Sequence, residues 1–370
     1  MAFTTTTGAG GTSLIGTSGV DVQTVAGSSF PLYLGAQGDK DVIAFTTAPV
    51  ASFTGKLGDG DDTVSVAAAA DFSKSTLDAD KGKDTIALTG DFDSSTLRGG
   101  EGNDTLTVTE AVGSFVNGNA GKDTITLAGK LDKSTVLGGA DADTFTVNDI
   151  TVKGGSKING NKGDDTITPS ITSTAMSSST IFGGEGNDTI SGIGSSVALI
   201  LSGDKGADTI TGGTAADTLY GGEGKDTISA DDAIGATVDI ITTGADADTV
   251  KFLGNTGGGA TVAIGVTTDQ ITDFTVAEDK VSFATAGAVS LYNKATNYGT
   301  SALTDGTIFV ISGTISSGVF TYKAITDGGF DTAIVYGDGA ANGGFEAAEN
   351  SVLLKGVLAN TITASNIVFA

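Results

Sequence analysis

An aspartate–threonine pair returns along this chain about every twenty residues, and that period constrains the fold more than any other feature. The aspartates are Asp62, Asp84, Asp104, Asp123, Asp143, Asp165, Asp188, Asp208, Asp217, Asp226 and Asp248, each followed by threonine. By subtraction the spacings are 22, 20, 19, 20, 22, 23, 20, 9, 9 and 22. Glycine-rich runs lead into them: GGEGND from Gly99 and again from Gly183, and GGEGKD from Gly221. Variants start at Gly118 (GNAGKD), Gly138 (GGADAD), Gly160 (GNKGDD) and Gly203 (GDKGAD). Two apolar positions keep step. Seven residues before the aspartate stand Leu77, Leu97, Val116, Val136, Ile158, Ile181, Leu201, Leu219 and Ile241; two after it stand Ile86, Leu106, Ile125, Phe145, Ile167, Ile190, Ile210, Ile228 and Val250.

Short β-branched or leucine-centred runs split by glycine turns read as strands. A helix does not survive glycine pairs at this frequency. About twenty residues then make one coil of two short strands and two turns. Coils stack at the ~4.8 Å strand spacing, so ten of them span about 50 Å, with the apolar ladders facing a common interior.

Composition closes several chemistries. The 370 residues include no histidine, cysteine or tryptophan, and only one arginine, Arg98. Histidine-based hydrolytic triads, His zinc sites, thiolate chemistry and disulfides are impossible. With 44 acidic against 19 basic residues the net charge is −25, which disfavours nucleic acid and anionic membranes as partners. No apolar run reaches the ~18 residues of a membrane span. The start, Met1-Ala2-Phe3 and four threonines, does not read as a secretory signal.

The repeated run matches the nonapeptide G-G-x-G-x-D-x-U-x, with U a large apolar residue. Over residues 35–250 the chain resembles the repeats-in-toxin (RTX) calcium-binding family. The resemblance implies an all-β, right-handed parallel β-roll or β-solenoid with calcium ions between stacked turns. It also implies the ligands: carboxylates of the eleven aspartates, and turn carbonyls at Gly99, Gly102, Gly118, Gly121, Gly160, Gly163, Gly183, Gly186, Gly203, Gly206, Gly221 and Gly224. Calcium takes six to eight oxygens, and glycine turns let carbonyls converge. In three copies the fourth-position glycine is replaced, by Asp141, Ala215 and Asp246, so sites there are expected to be absent or built differently. The usual roll carries the motif on both edges. Here the other edge holds plainer stretches such as Asp91–Thr96 and Lys133–Thr135, and the spacing places Asp217 alone on it. One long file of calcium sites is therefore expected.

Electrostatics supports a cation. Carboxylates stacked ~5 Å apart repel by ~1 kcal/mol in water and by a few kcal/mol at an effective dielectric of 20. Summed over the file, this rivals a domain stability of ~5–15 kcal/mol. Without calcium the coils are expected to be loose or unfolded, and to fold on binding it.

Residues 1–34, with strand-like pieces at 12–15, 20–25 and 30–34, form either a β cap or an anchor. Residues 251–370 read as a β-rich C-terminal module. Asp269–Phe274 and Glu278–Phe283 resemble the I-x-D-F module that follows RTX repeats. The segments 308–312, 319–325 and 332–336 alternate as antiparallel strands. The tail, Ser351–Ala370, resembles an uncleaved type I secretion signal; the other reading is an ordinary β cap.

The repeat fills most of the chain. The first expectation is a secreted, calcium-dependent structural subunit of the cell surface, an S-layer-like or matrix protein whose partner is itself or a surface polysaccharide. A virion or surface fibre is a variant. The second is an adhesin or carbohydrate binder using Tyr292, Tyr298, Tyr322, Phe330 and Tyr336. The third is a carboxylate-only polysaccharide-active enzyme with Asp91 and Asp93 on the plain edge; no catalytic residue is assigned.

Overall fold

Alternation sets the strands. In Thr85–Asp93 the apolar residues Ile86, Leu88 and Phe92 are buried while Thr85, Thr89 and Asp91 face outward. A period of two on a pleated strand puts one row of side chains inside and the next outside. The computed structural model describes residues 4–8, 11–16, 19–26, 32–35, 38–47, 50–68, 71–172, 179–230, 237–252, 269–283, 308–316, 319–322, 331–336, 350–354, 357, 362 and 366–369. Among these residues the elements of regular structure are almost all β-strands, and the chain forms two units, Met1–Thr189 and Ile190–Ala370.

In the first unit, two parallel sheets face each other across the apolar interior. One runs through Gly11–Ile15, Leu32–Gly35, Thr54–Lys56, Thr76–Asp78, Thr96–Glu101, Phe115–Ala120, Thr135–Ala140, Lys157–Lys162 and Thr180–Glu185. Thr4–Gly8 closes its end by pairing antiparallel with Gly11–Ile15. The other sheet runs through Val22–Ala26, Val42–Thr47, Thr63–Val66, Thr85–Asp93, Thr105–Val112, Thr124–Asp132, Thr144–Lys153 and Thr166–Ser170. Register holds the repeat in phase: Leu97 pairs with Val116 and Val116 with Val136. Buried Phe45, Phe53 and Phe72 meet with ring centroids 5.0–5.2 Å apart, filling coils whose motif is degenerate.

The second unit repeats the scheme with shorter strands. Ile200–Lys205, Thr218–Glu223, Ile240–Ala245 and Asp269–Ile271 form one parallel series. Thr209–Thr211, Thr227–Ser229, Thr249–Phe252 and Lys280–Phe283 form the other. The tail is built into both: Asn350–Leu354 adds to Asp269–Ile271 and Ile367–Phe369 to Lys280–Phe283. Ile308–Ser316, Val319–Tyr322 and Asp331–Tyr336 pair antiparallel, as their alternation predicts. All eighteen in-phase apolar residues named above are at most 1% exposed.

Candidate metal centre

Each coil turns twice. At one rim the chain leaves a motif strand through the glycine turn and the aspartate, then enters the facing strand at the threonine. Every sequence-predicted aspartate except Asp217 lies on this rim and is at most 2% exposed. The carboxylates form a ladder between coils. The backbone N–H of Asp84 donates to Oδ1 of Asp104 at 2.8 Å, that of Asp104 to Asp123 at 2.8 Å, and that of Asp123 to Asp143 at 2.8 Å. The file continues through Asp165 to Asp188, and in the second unit through Asp208, Asp226 and Asp248.

One oxygen is thus used, and the other points into a space bounded by oxygens. The Oδ2 atoms of Asp62, Asp84, Asp104, Asp123, Asp143, Asp165, Asp226 and Asp248 are buried and accept no hydrogen bond from the protein. A Cβ placed on Gly99 would collide with Oδ2 of Asp104 and lie 2.6 Å from the carbonyl oxygen of Gly118. Gly118, Gly160, Gly183, Gly203 and Gly221 occupy equivalent places against Asp123, Asp165, Asp188, Asp208 and Asp226. The absent side chain leaves room where a carboxylate oxygen and a carbonyl of the next coil converge. Two acceptors facing one space require a proton or a cation between them. An all-oxygen donor set suits a hard cation such as calcium. Among the described residues no three acidic side chains gather at one point, so most ligands must be backbone carbonyls.

The fourth-position glycines play a second part. Gly102, Gly121, Gly163, Gly186, Gly206 and Gly224 have φ between 112° and 140°, which L side chains rarely adopt. Gly121 packs directly on the carbonyl of Gly102, keeping successive turns in register. Asp141 and Asp246 take the same left-handed conformation, with φ of 75° and 80°. Aspartate tolerates it better than most residues, so these two turns are closed like the glycine ones.

Burial raises the carboxyl pKa of the metal-free rim. Asp62, Asp84, Asp123, Asp226 and Asp248 are pushed up to about 7, Asp143 to about 8, and Asp104 and Asp165 to about 6. Desolvation is the main cause in each; donated backbone N–H groups oppose it, and neighbouring carboxylates add to it at most rungs.

Three aspartates extend this rim beyond the sequence-derived set. Asp21 and Asp41 continue it upstream: the N–H of Asp21 donates to Asp41 and that of Asp41 to Asp62, at 2.7 and 2.6 Å. Asp279 receives the N–H of Asp248 at 3.1 Å. They keep the rung position but are followed by Val22, Val42 and Lys280, so a search keyed on Asp-Thr passes over them. Gly138 and Gly212 likewise sit against Oδ2 of Asp143 and Asp217 as first-position glycines do, although Oδ2 of Asp217 also accepts the N–H of Gly213.

The second rim corrects the expectation of a lone Asp217. The N–H of Leu199 donates to Oδ1 of Asp217, that of Asp217 to Asp239, and that of Asp239 to Asp269, at 2.7, 2.7 and 3.0 Å. Asp217, Asp239 and Asp269 are at most 2% exposed. The second unit therefore carries a second aspartate file. Asp239 escaped notice because isoleucine follows it, and Asp269 because its spacing of 30 breaks the period. In the first unit the same rim position is serine: the N–H of Ser95 donates to Oγ of Ser114 and that of Ser114 to Ser134, both at 3.0 Å. Asp91 is exposed on the outward face of its sheet, beside Glu110 in register. Tyr292, Tyr298 and Phe330 lie outside the described residues, as do the side chains of Tyr322 and Tyr336.

The RTX calcium-binding nonapeptide repeat family matches residues 82–108, 178–192 and 200–232, in four copies. No curated protein matches the chain in sequence. Among solved structures, a subunit of the Azotobacter vinelandii mannuronan C5-epimerase is similar, at 26% identity and a TM-score of 0.29. The match covers 47% of this chain and 78% of that one. A hyperactive, Ca2+-dependent, β-helical antifreeze protein from an Antarctic bacterium is similar at 21% identity and a TM-score of 0.38, over 70% of this chain and 76% of that one. The family match falls on coils whose aspartate and glycine oxygens converge: over these residues the chain carries RTX-type calcium-binding repeats.

Proposed function

We propose that this chain is a secreted structural protein, a subunit of an S-layer-like sheet or an extracellular matrix, whose coils fold when calcium is met. One observation carries the reading: nearly every described coil spends its recurring geometry on stacking, through rim carboxylates, glycine turns and an apolar ladder. Secretion fits a chain whose buried acids oppose folding until calcium is available, as outside a cell. No helix among the described residues is long and apolar enough to cross a membrane. Contacts between identical chains, or with a surface polysaccharide, would supply the lattice. The carboxylate-enzyme alternative draws little support from Asp91, whose side chain is exposed on the outward face of its sheet. Electron microscopy of the purified chain with calcium should show sheets or fibres that dissolve in chelator. Dispersed single particles at saturating calcium and high protein concentration would sink the structural reading.

A further inference from the structure

The second rim is built in two chemistries. In the first unit Ser75, Ser95, Ser114, Ser134, Ser156 and Ser179 stand one residue before each motif strand and are at most 4% exposed. The Oγ atoms of Ser95, Ser114, Ser134 and Ser156 each accept the N–H of the serine one coil earlier, and that of Ser75 accepts the N–H of Phe53. Ser114 and Ser134 also donate to backbone carbonyls, at 2.6 Å to Phe92 and 3.1 Å to Ala111. This file is neutral and closed by hydrogen bonds inside the protein. In the second unit Asp217 and Asp239 hold the same place. The backbone shows the equivalence: Thr135 N–H donates to the carbonyl of Ser114, and Ile240 N–H to that of Asp217, both at 2.9 Å.

Each coil of the first unit therefore buries one rim carboxylate, as does the Leu199–Asp208 coil of the second, whereas the Asp217–Asp226, Asp239–Asp248 and Asp269–Asp279 coils bury two. The sheet strands that offset this cost are also unequal. Thr124–Asp132 and Thr144–Lys153 are 9 and 10 residues long, whereas Thr209–Thr211 and Thr227–Ser229 have 3 each. Less apolar burial must counter twice the charge.

We propose that the chain contains two calcium-response units. The coils of Ile190–Ala370 that are acidic on both rims hold their fold only at a higher free-calcium concentration than the coils of Met1–Thr189 whose second rim is sealed by serines. This rests on calcium occupying the carboxylate rims. Mass action gives the shape of the response. Stability gained from ions bound only to the folded state grows with the number bound, so two ions per coil make the second unit's transition steeper. Its midpoint is higher because the smaller calcium-independent gain of each coil is shared between two ions.

Hydrogen–deuterium exchange of the full-length chain, followed peptide by peptide across a buffered calcium series, tests this. The amides of Asp104, Asp123 and Asp143 report the first unit, and those of Asp217 and Asp226 the second. Peptides of the second unit should lose protection first as calcium falls, at a several-fold higher free concentration and over a narrower range. A common midpoint, or loss in the opposite order, overturns the proposal and leaves calcium binding standing. Protection that ignores calcium everywhere overturns calcium binding at the rims as well. Two substitutions sharpen the result. Asp239→Ser should move the second unit's midpoint down toward that of the first. Ser114→Asp should move the first unit's midpoint up. If neither substituted chain folds at any calcium concentration, the wild-type series alone decides.

Discussion

The two oxygens of a rim aspartate do different work. Oδ1 of Asp123 ties its coil to the one before by accepting the N–H of Asp104, while Oδ2 faces the Gly138 carbonyl beside Gly118. Metal-free, that arrangement favours the protonated acid, which can donate to the carbonyl. The sign of the pH dependence follows. A carboxyl whose folded-state pKa rises from 3.8 to about 7 stabilises the fold fully below its unfolded pKa, and that contribution is lost as pH climbs through 7. In chelator the protein should therefore melt at higher temperature at pH 5 than at pH 8. With saturating calcium the order should invert, since the ion needs ionised ligands. Thermal melts by circular dichroism check both; a metal-free chain that grows more stable from pH 5 to pH 8 would contradict the geometry. Asp123→Asn tests the same site without pH. The amide keeps an acceptor for Asp104 and offers a donor to Gly138. The variant should resist unfolding in chelator better than wild type, yet bind about one calcium fewer by titration calorimetry.

At the scale of the strand and turn, the repeat was legible because charge, glycine and apolar residue recur in one phase. The eighteen apolar positions all proved to be core, and the ten first-rim aspartates all proved to be rungs. What the sequence hid was the rung that lacked its usual neighbour: Asp41 before valine, Asp239 before isoleucine. The threonine belongs to the exposed start of a strand, and its identity does not decide whether the residue before it is buried. The serine file was hidden for another reason. Serine is common in this chain, and nothing in its type separates a buried rung from a surface turn. That file can be tested apart from calcium. Ser114→Ala removes the acceptor of the buried Ser95 N–H, at a cost of about 1–3 kcal/mol. The urea midpoint should fall at saturating calcium, with calcium stoichiometry unchanged. Gly121→Ala should do more. Its φ of 112° is strained for alanine, and the new methyl would press on the Gly102 carbonyl. The exposed Lys122→Ala is the neutral control. Equal midpoints for the two would show that the turns are slack.

At the scale of the whole molecule, 44 acidic residues against 19 basic ones make the charge a global opponent of folding, and the fold answers it rung by rung. Calcium and magnesium carry the same charge, so simple screening would make them equivalent. The rims distinguish them. Their oxygens are carbonyls and carboxylates already fixed by stacked turns, a set that suits calcium's six to eight flexible contacts. Magnesium demands near-octahedral ligands and gives up its water reluctantly. Small-angle scattering at pH 8 should therefore find the chelated chain expanded relative to the calcium-bound one, in the direction of the ~70 Å radius of gyration of an unfolded chain of this length. Calcium should contract it sharply, and magnesium at equal concentration should leave it largely expanded. If magnesium or monovalent salt at matched ionic strength collapsed the chain as fully as calcium, the rims would be acting as a diffuse charge to be screened. The convergence of Asp Oδ2 with the next coil's carbonyl would then have no part in holding the coils together.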